Sequence, residues 1–236
     1  MKKDIKWLAI KVGKKEHLES LKAGRVFFAA NKVFIEDQTD FRGDPNEGAR
    51  FVDPTKIEIY IDGKNIFHDL NVPYPDEVKE SFEGIEEIHI FCCSVLRGSV
   101  WTGNELKKLT NAFIREMSQF GDHFLVFDLN ELVENIKTAA TENGIGMISS
   151  FVKYKDIFSD FSPVEFPDDS FYNRFFIKDR EKYEVQSEYR IIIDGTTEAL
   201  KSNCEKGYIL NTKPLESADV FNIDSLNSVE LITEEI

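Results

Sequence analysis

The sequence predicts an α+β fold, in which a mixed, mainly antiparallel sheet is accompanied by two main helices. Short apolar segments separated by turn residues indicate the strands, and two longer segments with helical periodicity indicate the helices. No long segment of the 236 residues is rich in Pro, Gly or Ser, so we expect one domain over residues 1–236. Its part after about residue 194 has the fewest secondary-structure signals.

The N-terminal half begins with a predicted strand–helix–strand unit. Leu18 and Leu21 can share the buried face of a short helix, and Gly24 follows its end. Asp62-Gly63 is a strong two-residue hairpin signal. Segment 31–40 mixes helix and strand signals and stays open. The elements predicted in this half are a strand over 5–12, a helix over 14–22, a strand over 25–28, a loop over 40–48, hairpin strands over 56–61 and 65–67, a polar connection over 73–83 and a buried strand over 88–96.

The strongest helical pattern covers residues 104–120, with Asn104 as its N-cap and Gly121 after its end. Its apolar stripe, at spacings of three and four, consists of Leu106, Leu109, Phe113 and Met117. Asp128 is the predicted N-cap of the second main helix. The other elements predicted in this half are a strand over 123–127, a helix over 129–140, a strand over 146–154, a loop over 158–170, a helix over 173–182 and strands over 184–193, 208–210 and 229–232.

The charge balance limits the classes of partner. The chain has 43 Asp and Glu against 29 Lys and Arg, a net charge of −14. We therefore expect no binding to duplex nucleic acid or to an anionic membrane, since both require clustered cations. No window approaches the roughly 20 apolar residues of a membrane span. Solubility is the simplest explanation of the acidity, and a basic protein partner is the alternative.

The three cysteines indicate a reducing compartment. Their number is odd and Cys92 is adjacent to Cys93, so they do not form a disulfide framework. The N-terminus has no apolar signal-peptide core, and we expect a cytoplasmic location. Cys93 could form a nucleophile pair with a distant His, but its apolar surroundings favour a buried structural role.

The strand predicted over 184–193 is the most informative segment. Because side chains alternate along a strand, Glu184, Gln186, Glu188 and Arg190 are predicted to share one face. Such a row is either a solvated polar face or the charged wall of a cleft.

A second polar cluster lies in the predicted loop near residue 44. It consists of Asp40, Arg42, Asp44, Glu47 and Arg50. A turn held by Asp side chains and local ion pairs is the favoured interpretation. The alternative is a site loop whose carboxylates bind a cation.

Standard motifs are missing from the sequence. The four His residues are scattered, and neither His-Glu-X-X-His nor Cys-X-X-Cys occurs, so we do not expect a structural zinc site. Glycine-rich dinucleotide loops and phosphate-binding loops are also missing, which argues against a standard Rossmann or P-loop enzyme.

The order of four segments resembles a family of bacterial and phage proteins known only as a domain of unknown function. The segments are Leu21-Lys-Ala-Gly-Arg-Val-Phe-Phe28 with Asp44-Pro-Asn-Glu47, then Ile90-Phe-Cys-Cys-Ser94, then residues 124–154, and last Lys178 to Ile192, which contains Tyr183-Glu-Val-Gln-Ser-Glu-Tyr-Arg190. The family usually has Trp at position 183 and often Glu at position 186. It implies no settled activity.

Gln186-Ser-Glu188 also resembles, more distantly, the strand motif of ADP-ribosyltransferases. That resemblance implies NAD as the ligand, with Glu188 holding the ribose hydroxyls and Gln186 assisting. Lys11 or Arg25 would contact phosphate, although those enzymes usually place His or Arg where Lys11 stands. Arg42 and Arg190 complete the predicted ligand-binding set.

Two functions follow from these patterns, and the sequence leaves open whether the protein is an enzyme. The first is an ADP-ribosyltransferase-like protein that binds NAD or another nucleotide. The second is a non-catalytic acidic protein, such as an inhibitor or a host–phage conflict factor, that binds a basic protein partner.

Overall fold

The structure, a computed structural model, describes residues 7–39, 41–103, 106–162, 164, 166, 170–193 and 207–232. The predicted α+β class is confirmed. The strands are β1 (Leu8–Gly13), β2 (Arg25–Ala30), β3 (Arg50–Val52), β4 (Tyr60–Ile61), β5 (Lys64–Asn65), β6 (Val78–Glu80), β7 (His89–Val95), β8 (Trp101–Thr102), β9 (Leu106–Leu109), β10 (His123–Asp128), β11 (Met147–Phe151), β12 (Lys153–Lys155), β13 (Ile177–Asp179), β14 (Glu188–Ile193), β15 (Gly207–Asn211), β16 (Asp219–Asn222) and β17 (Glu230–Ile232). The α-helices are α1 (Lys15–Lys22), α2 (Asn31–Glu36), α3 (Asn111–Met117), α4 (Leu129–Glu142) and α5 (Arg180–Tyr183).

One eight-stranded antiparallel sheet organises the molecule. Its central path runs β11-β14-β7-β1-β10-β16, while β2 pairs with β7 and β15 pairs with β2. Smaller sheets are formed by β8, β9 and β17, by β3 and β6, and by β4 and β5. Among the strand pairs that the structure describes, β12–β13 alone is parallel, so the predicted mixed, mainly antiparallel pairing is confirmed.

The main sheet forks at β7. Strand β14 pairs with one edge of β7 from His89 to Ser94. Strands β1 and β2 therefore share the opposite edge: β1 pairs at Ser94 and Val95, and β2 pairs at His89 and Ile90. Residues 91–93 have no strand partner on that edge, because β1 and β2 diverge there. The fork leaves an opening within the sheet.

Helices cover both faces of this sheet. One face packs in the largest core cluster, where α1 contributes Leu18 and Leu21 and α4 contributes Leu132 and Ile136. On the opposite face, Phe113 of α3 packs in a second cluster with other fully buried side chains. The predicted end of α1 at Gly24 agrees with a φ of +85° there, and a Cβ at this position would lie 2.4 Å from a backbone oxygen.

The helix predicted over 104–120 is wrong in its first half. Strand β9 occupies Leu106–Leu109, pairs with β8 and β17, and leaves only Asn111–Met117 helical. The helix begins after Thr110, whose side chain accepts a hydrogen bond from the backbone N–H of Phe113 at 3.2 Å. Pairing with strands distant in sequence outweighs the local helical periodicity here. The predicted N-cap, Asn104, lies outside the described residues.

Several other boundaries also differ from the predictions. Segment 31–40, left open by the sequence, contains α2, and segment 173–182 contains a 3₁₀ turn and β13 before the short α5. The predicted connection 73–83 contains β6, and the single strand predicted over 146–154 is divided into β11 and β12.

The predicted cap of α4 is confirmed, since Asp128 accepts a hydrogen bond from the backbone N–H of Asn130 at 2.9 Å. The hairpin turn at Asp62 and Gly63 is confirmed by positive φ at both residues.

No helix within the described part of the chain is long and apolar enough to cross a membrane.

Candidate functional site

The fork in the sheet opens into a cavity of about 650 Å³, here called the fork cavity. Its walls come mainly from β1, α1, β2, β7 and β14. All six predicted site residues line it, and they come from four regions of the sequence: Lys11, Arg25, Arg42, and the neighbouring Gln186, Glu188 and Arg190. The structure thus brings the predicted set together around one hollow.

Glu188 and Arg190 lie side by side on the same face of β14, as the alternation predicted. Glu188 is 6% exposed and Arg190 is 1% exposed. The guanidinium Nε of Arg190 donates to Glu188 Oε1 at 2.8 Å. The second carboxylate oxygen, Glu188 Oε2, is buried and has no hydrogen-bond partner among the described residues. Such an oxygen is costly to bury, and the neighbouring Cys92 thiol helps to hold the pKa of Glu188 below its usual value.

Arg190 also binds Glu47, a residue of the loop that precedes β3. Nη2 of Arg190 donates to Glu47 Oε2 at 2.9 Å, and Nη1 donates both to Glu47 Oε1 and to the backbone carbonyl of Phe175. Lys178 Nζ lies 3.2 Å from Glu47 Oε2 and 3.6 Å from Asp44 Oδ2. These five residues form a buried charge network of three carboxylates and two cations: Asp44, Glu47, Lys178, Glu188 and Arg190.

The network keeps most of its members ionised despite their burial. Burial opposes ionisation of Glu47, but Arg190 and then Lys178 outweigh it and lower the pKa of Glu47 to about 2. Burial likewise opposes ionisation of Glu188, yet Arg190 and Lys178 hold its pKa below the usual value. Asp44 differs, because burial and the neighbouring Glu47 charge raise its pKa. Glu188 is therefore negatively charged at neutral pH.

The predicted row of four side chains on one strand is wrong for its first half. Residues 184–186 form a 3₁₀ turn, and Ser187 has a φ of +48°, so β14 begins only at Glu188. Glu184 instead lies near Arg180, with Oε1 3.9 Å from Nε. Ser187 Oγ donates to the backbone carbonyl of Val95, a contact that ties this turn to the end of β7.

Gln186 reaches the fork cavity by a different route from the one predicted. Its Nε2 donates to the backbone carbonyl of Phe41 at 2.9 Å and to Glu116 Oε1 at 2.9 Å. These bonds hold the 41–43 loop against α3. The Gln-X-Glu spacing therefore brings both side chains to the cavity, but it does not form a pair on one strand.

Lys11 lies in the opening of the fork. Its Nζ donates to the backbone carbonyl of Cys92 at 2.5 Å and lies 5.0 Å from the centroid of the Phe91 ring. One of the carbonyls that the fork leaves without a strand partner is therefore satisfied by a side chain. Lys11 therefore contributes a positive charge to the wall of the cavity.

The rest of the cavity wall combines cations and aromatic rings with many aliphatic side chains. The cations beyond the six predicted residues are Lys14 and Lys178, and the aromatic side chains are Phe27, Phe34, Phe41, Phe91 and Phe120. Glu188 is the one Asp or Glu among the lining residues that the structure describes. A cavity with many cations, aromatic rings and one ionised carboxylate suits a ligand that carries phosphate, a flat ring and hydroxyl groups.

The Asp40–Arg50 cluster has a structural role that sequence reasoning only partly predicted. Asp44 Oδ1 accepts a hydrogen bond from the backbone N–H of Asn46, the predicted type of turn. Arg50 Nη1 lies 3.9 Å from Glu80, and Arg42 Nε lies 4.0 Å from Asp37. Asp40 lies outside the described residues.

Lys178 and the pairing of Glu47 with Arg190 were missed. Glu47 and Arg190 are 143 positions apart, and nothing local in either segment indicates the other. Two signals were available in the sequence. Glu47, Lys178 and Arg190 all lie in the segments that carry the resemblance to the bacterial and phage family, and Lys178 follows an apolar run, where an unpaired Lys would be unfavourable.

The cysteines in the described part of the chain are buried or partly buried free thiols. Burial raises the pKa of Cys93 to about 12, and it raises the pKa of Cys92 as well. The favoured structural role of Cys93 agrees with this environment. Cys204 lies outside the described residues. Within those residues, no group of three or more His, Cys, Asp or Glu side chains is arranged to hold a metal ion.

Comparison with known proteins gives no class for this chain. No family model matches it, and searches of curated proteins and of solved structures give no match either. The resemblances to the bacterial and phage family and to ADP-ribosyltransferases therefore stay predictions, supported only by the residues that carry them.

Proposed function

We propose that the protein binds a nucleotide, with NAD as the leading candidate, in the fork cavity. The observation that carries the proposal is the described lining of this cavity, which has six Lys or Arg side chains, five Phe side chains and one carboxylate, the buried and ionised Glu188. Arg25 and Lys11 supply positive charge for phosphate, and the Phe side chains supply surfaces for a base. The ribose hydroxyls would donate to the carboxylate of Glu188, which lines the cavity.

ADP-ribosyltransferase-like chemistry is the catalytic form of this proposal. The negative charge of Glu188 would stabilise positive charge that develops on the ribose as the bond to nicotinamide breaks. Arg190 holds the carboxylate in position and keeps it ionised, so it acts as a positioning residue. Gln186 fixes the 41–43 loop at the cavity.

Calorimetric titration with NAD, paired with measurement of nicotinamide release, tests both parts. Arg25→Ala removes one charge-assisted contact and is expected to weaken NAD binding by about tenfold. Arg115→Ala is the matched control, because Arg115 is exposed on α3 and does not line the fork cavity. Glu188→Gln keeps the shape of the side chain and is expected to abolish nicotinamide release.

The outcomes separate the proposals. If the wild-type protein gives no binding heat with NAD, the proposal that NAD is the ligand is rejected. Binding that Arg25→Ala leaves unchanged would reject the fork cavity as the site. Binding without any nicotinamide release would reject the catalytic form while leaving the binding function in place.

Binding of a basic protein partner is the second candidate function, favoured by the net charge of −14. Its contacts would weaken steeply as salt rises, because exposed charges are screened over about 8 Å at physiological ionic strength. Affinity capture at increasing salt measures this, and a partner retained equally at high salt would contradict the charge argument.

A further inference from the structure

A second cavity, of about 830 Å³, lies on the other side of the buried charge network. It is bounded by β3, by β12 with the segment that follows it, and by the 3₁₀ turn Phe171–Phe176 with β13. We call it the β3 cavity. Lys178 lines both the β3 cavity and the fork cavity, so the two hollows meet at one buried ammonium group.

The β3 cavity is also positively charged in a strongly acidic protein. Its described lining has four cations, namely Arg50, Lys155, Arg174 and Lys178, and one carboxylate, Asp44. Across both cavities, nine of the lining residues are Lys or Arg and two are Asp or Glu, although the chain has 43 acidic residues against 29 basic ones. The linings of the two cavities are therefore enriched in Lys and Arg relative to the whole chain.

Two of these cations have no carboxylate at ion-pair distance among the described residues, although Glu80 interacts with Arg174, and Asp160 with Lys155, at longer range. No carboxylate oxygen of the described residues lies within 4.0 Å of the charged group of Arg174 or of Lys155. The guanidinium of Arg174 instead stacks on the rings of Phe171, at 4.5 Å, and Phe82, at 5.2 Å. Lys155 Nζ donates to the backbone carbonyl of Ser162 at 2.9 Å. Stacking fixes the direction of a guanidinium but leaves its N–H donors available to an anion.

The cavity also offers an apolar surface and neutral donors. The side chain of Phe171 packs against Arg174, yet 45% of its surface is still exposed, which is a large fraction for an apolar ring. The side chains of Asn173 and Ser170 line the same hollow. The guanidinium of Arg174 and the ammonium of Lys155 together have more N–H donors than a carboxylate has oxygens to accept them, so they suit an anion with three or more oxygens better.

We propose that the β3 cavity binds a phosphomonoester attached to a planar ring, with the phosphate at Arg174 and Lys155 and the ring against Phe171. The site is separate from the one proposed for NAD and does not depend on it. Because Lys178 belongs to both linings, occupancy of one cavity changes the electrostatic environment of the other.

Calorimetric titration with adenosine monophosphate tests this assignment. The titration is made on the Arg25→Ala protein, in which the fork cavity has lost one phosphate contact. Adding Arg174→Ala or Lys155→Ala to that protein is expected to weaken binding by about tenfold each. Adding Arg115→Ala, the exposed control on α3, is expected to leave the affinity unchanged. Inorganic phosphate and adenosine alone are each expected to bind at least about tenfold more weakly than the complete ligand.

Three results would overturn the proposal: no heat with adenosine monophosphate, an affinity that neither variant changes, or phosphate binding as tightly as the nucleotide. If Arg174→Ala unfolds, Lys155→Ala decides the outcome, since the contact it removes is solvent-exposed. Failure of the NAD proposal is recognised separately, in the wild-type titration with NAD.

Discussion

Replacing Glu47 by Gln perturbs the buried charge network at its centre. The variant keeps the size of the side chain but removes its charge. An amide cannot accept both guanidinium hydrogen bonds from Arg190, because its nitrogen is a donor that would face the Nη2 donor. We expect the variant to fold with a lower free energy of unfolding.

The magnitude follows from the pKa of Glu47. The folded protein lowers that pKa from 4.5 to about 2. At 1.36 kcal/mol for each pKa unit, the ionised form contributes about 3 kcal/mol to stability at neutral pH. Breaking a buried ion pair costs about 3–5 kcal/mol in other proteins, which agrees with this value. We therefore expect Glu47→Gln to lower the free energy of unfolding by about 3 kcal/mol at pH 7.

The pH dependence provides the sharper test. Because the folded pKa of Glu47 lies below the unfolded value, its contribution is complete above pH 4.5 and is lost as the pH falls towards 2. The stability difference between the wild type and Glu47→Gln should thus narrow to about 1 kcal/mol at pH 3.

Urea unfolding followed by circular dichroism at pH 7, 5 and 3 measures this difference. Glu142→Gln, at an exposed position in α4, is the matched control and is expected to change stability by less than about 0.5 kcal/mol. The reasoning is refuted if Glu47→Gln costs no more than the control at pH 7, or if its cost is the same at pH 7 and pH 3.

Three further changes test separate features. Gly24→Ala places a methyl group 2.4 Å from a backbone oxygen at a φ of +85°. We therefore expect the free energy of unfolding to fall by about 1–3 kcal/mol in the same urea assay, and an unchanged value would contradict the positive φ. Tyr183→Phe removes the 2.8 Å hydrogen bond to the buried carbonyl of Gly43 and should cost about 1–3 kcal/mol, measured as a lower melting temperature; an unchanged melting temperature would mean that water replaces the hydroxyl. In the variant Cys204→Ser, burial raises the pKa of both Cys92 and Cys93. We therefore expect these two thiols to react with a thiol reagent at pH 8 far more slowly in the folded protein than in the protein unfolded by urea, and fast reaction of the folded protein would contradict this.

The main strands and the capped helix α4 could be predicted from sequence because their signals are local. Alternation and apolar runs gave β7 and β10, and Asp128 marks the beginning of α4. The helix predicted over 104–120 failed because its first turn pairs as β9 with β8 and β17, a long-range contact that periodicity does not contain.

The sequence indicated six residues that line one cavity, but it indicated neither the geometry that brings them together nor the network partners Glu47 and Lys178. The six predicted residues line one cavity, yet the reason is the fork at β7, which depends on how β1 and β2 pair with that strand. The left-handed Ser187 is likewise invisible to the alternation rule, which extended β14 to Glu184. Partners 143 residues apart, such as Glu47 and Arg190, require the three-dimensional structure.

The fork at β7 has a mechanical consequence. The β2–β15 pair joins the rest of the sheet through a two-residue ladder at His89 and Ile90, whereas β14 stays bonded to β7 over six residues. The position of this pair therefore depends mainly on packing, because Val26, Phe28 and Leu210 are buried in the largest core cluster. The width of the opening between Lys11 and Arg25 is set by those side chains more than by hydrogen bonds between strands.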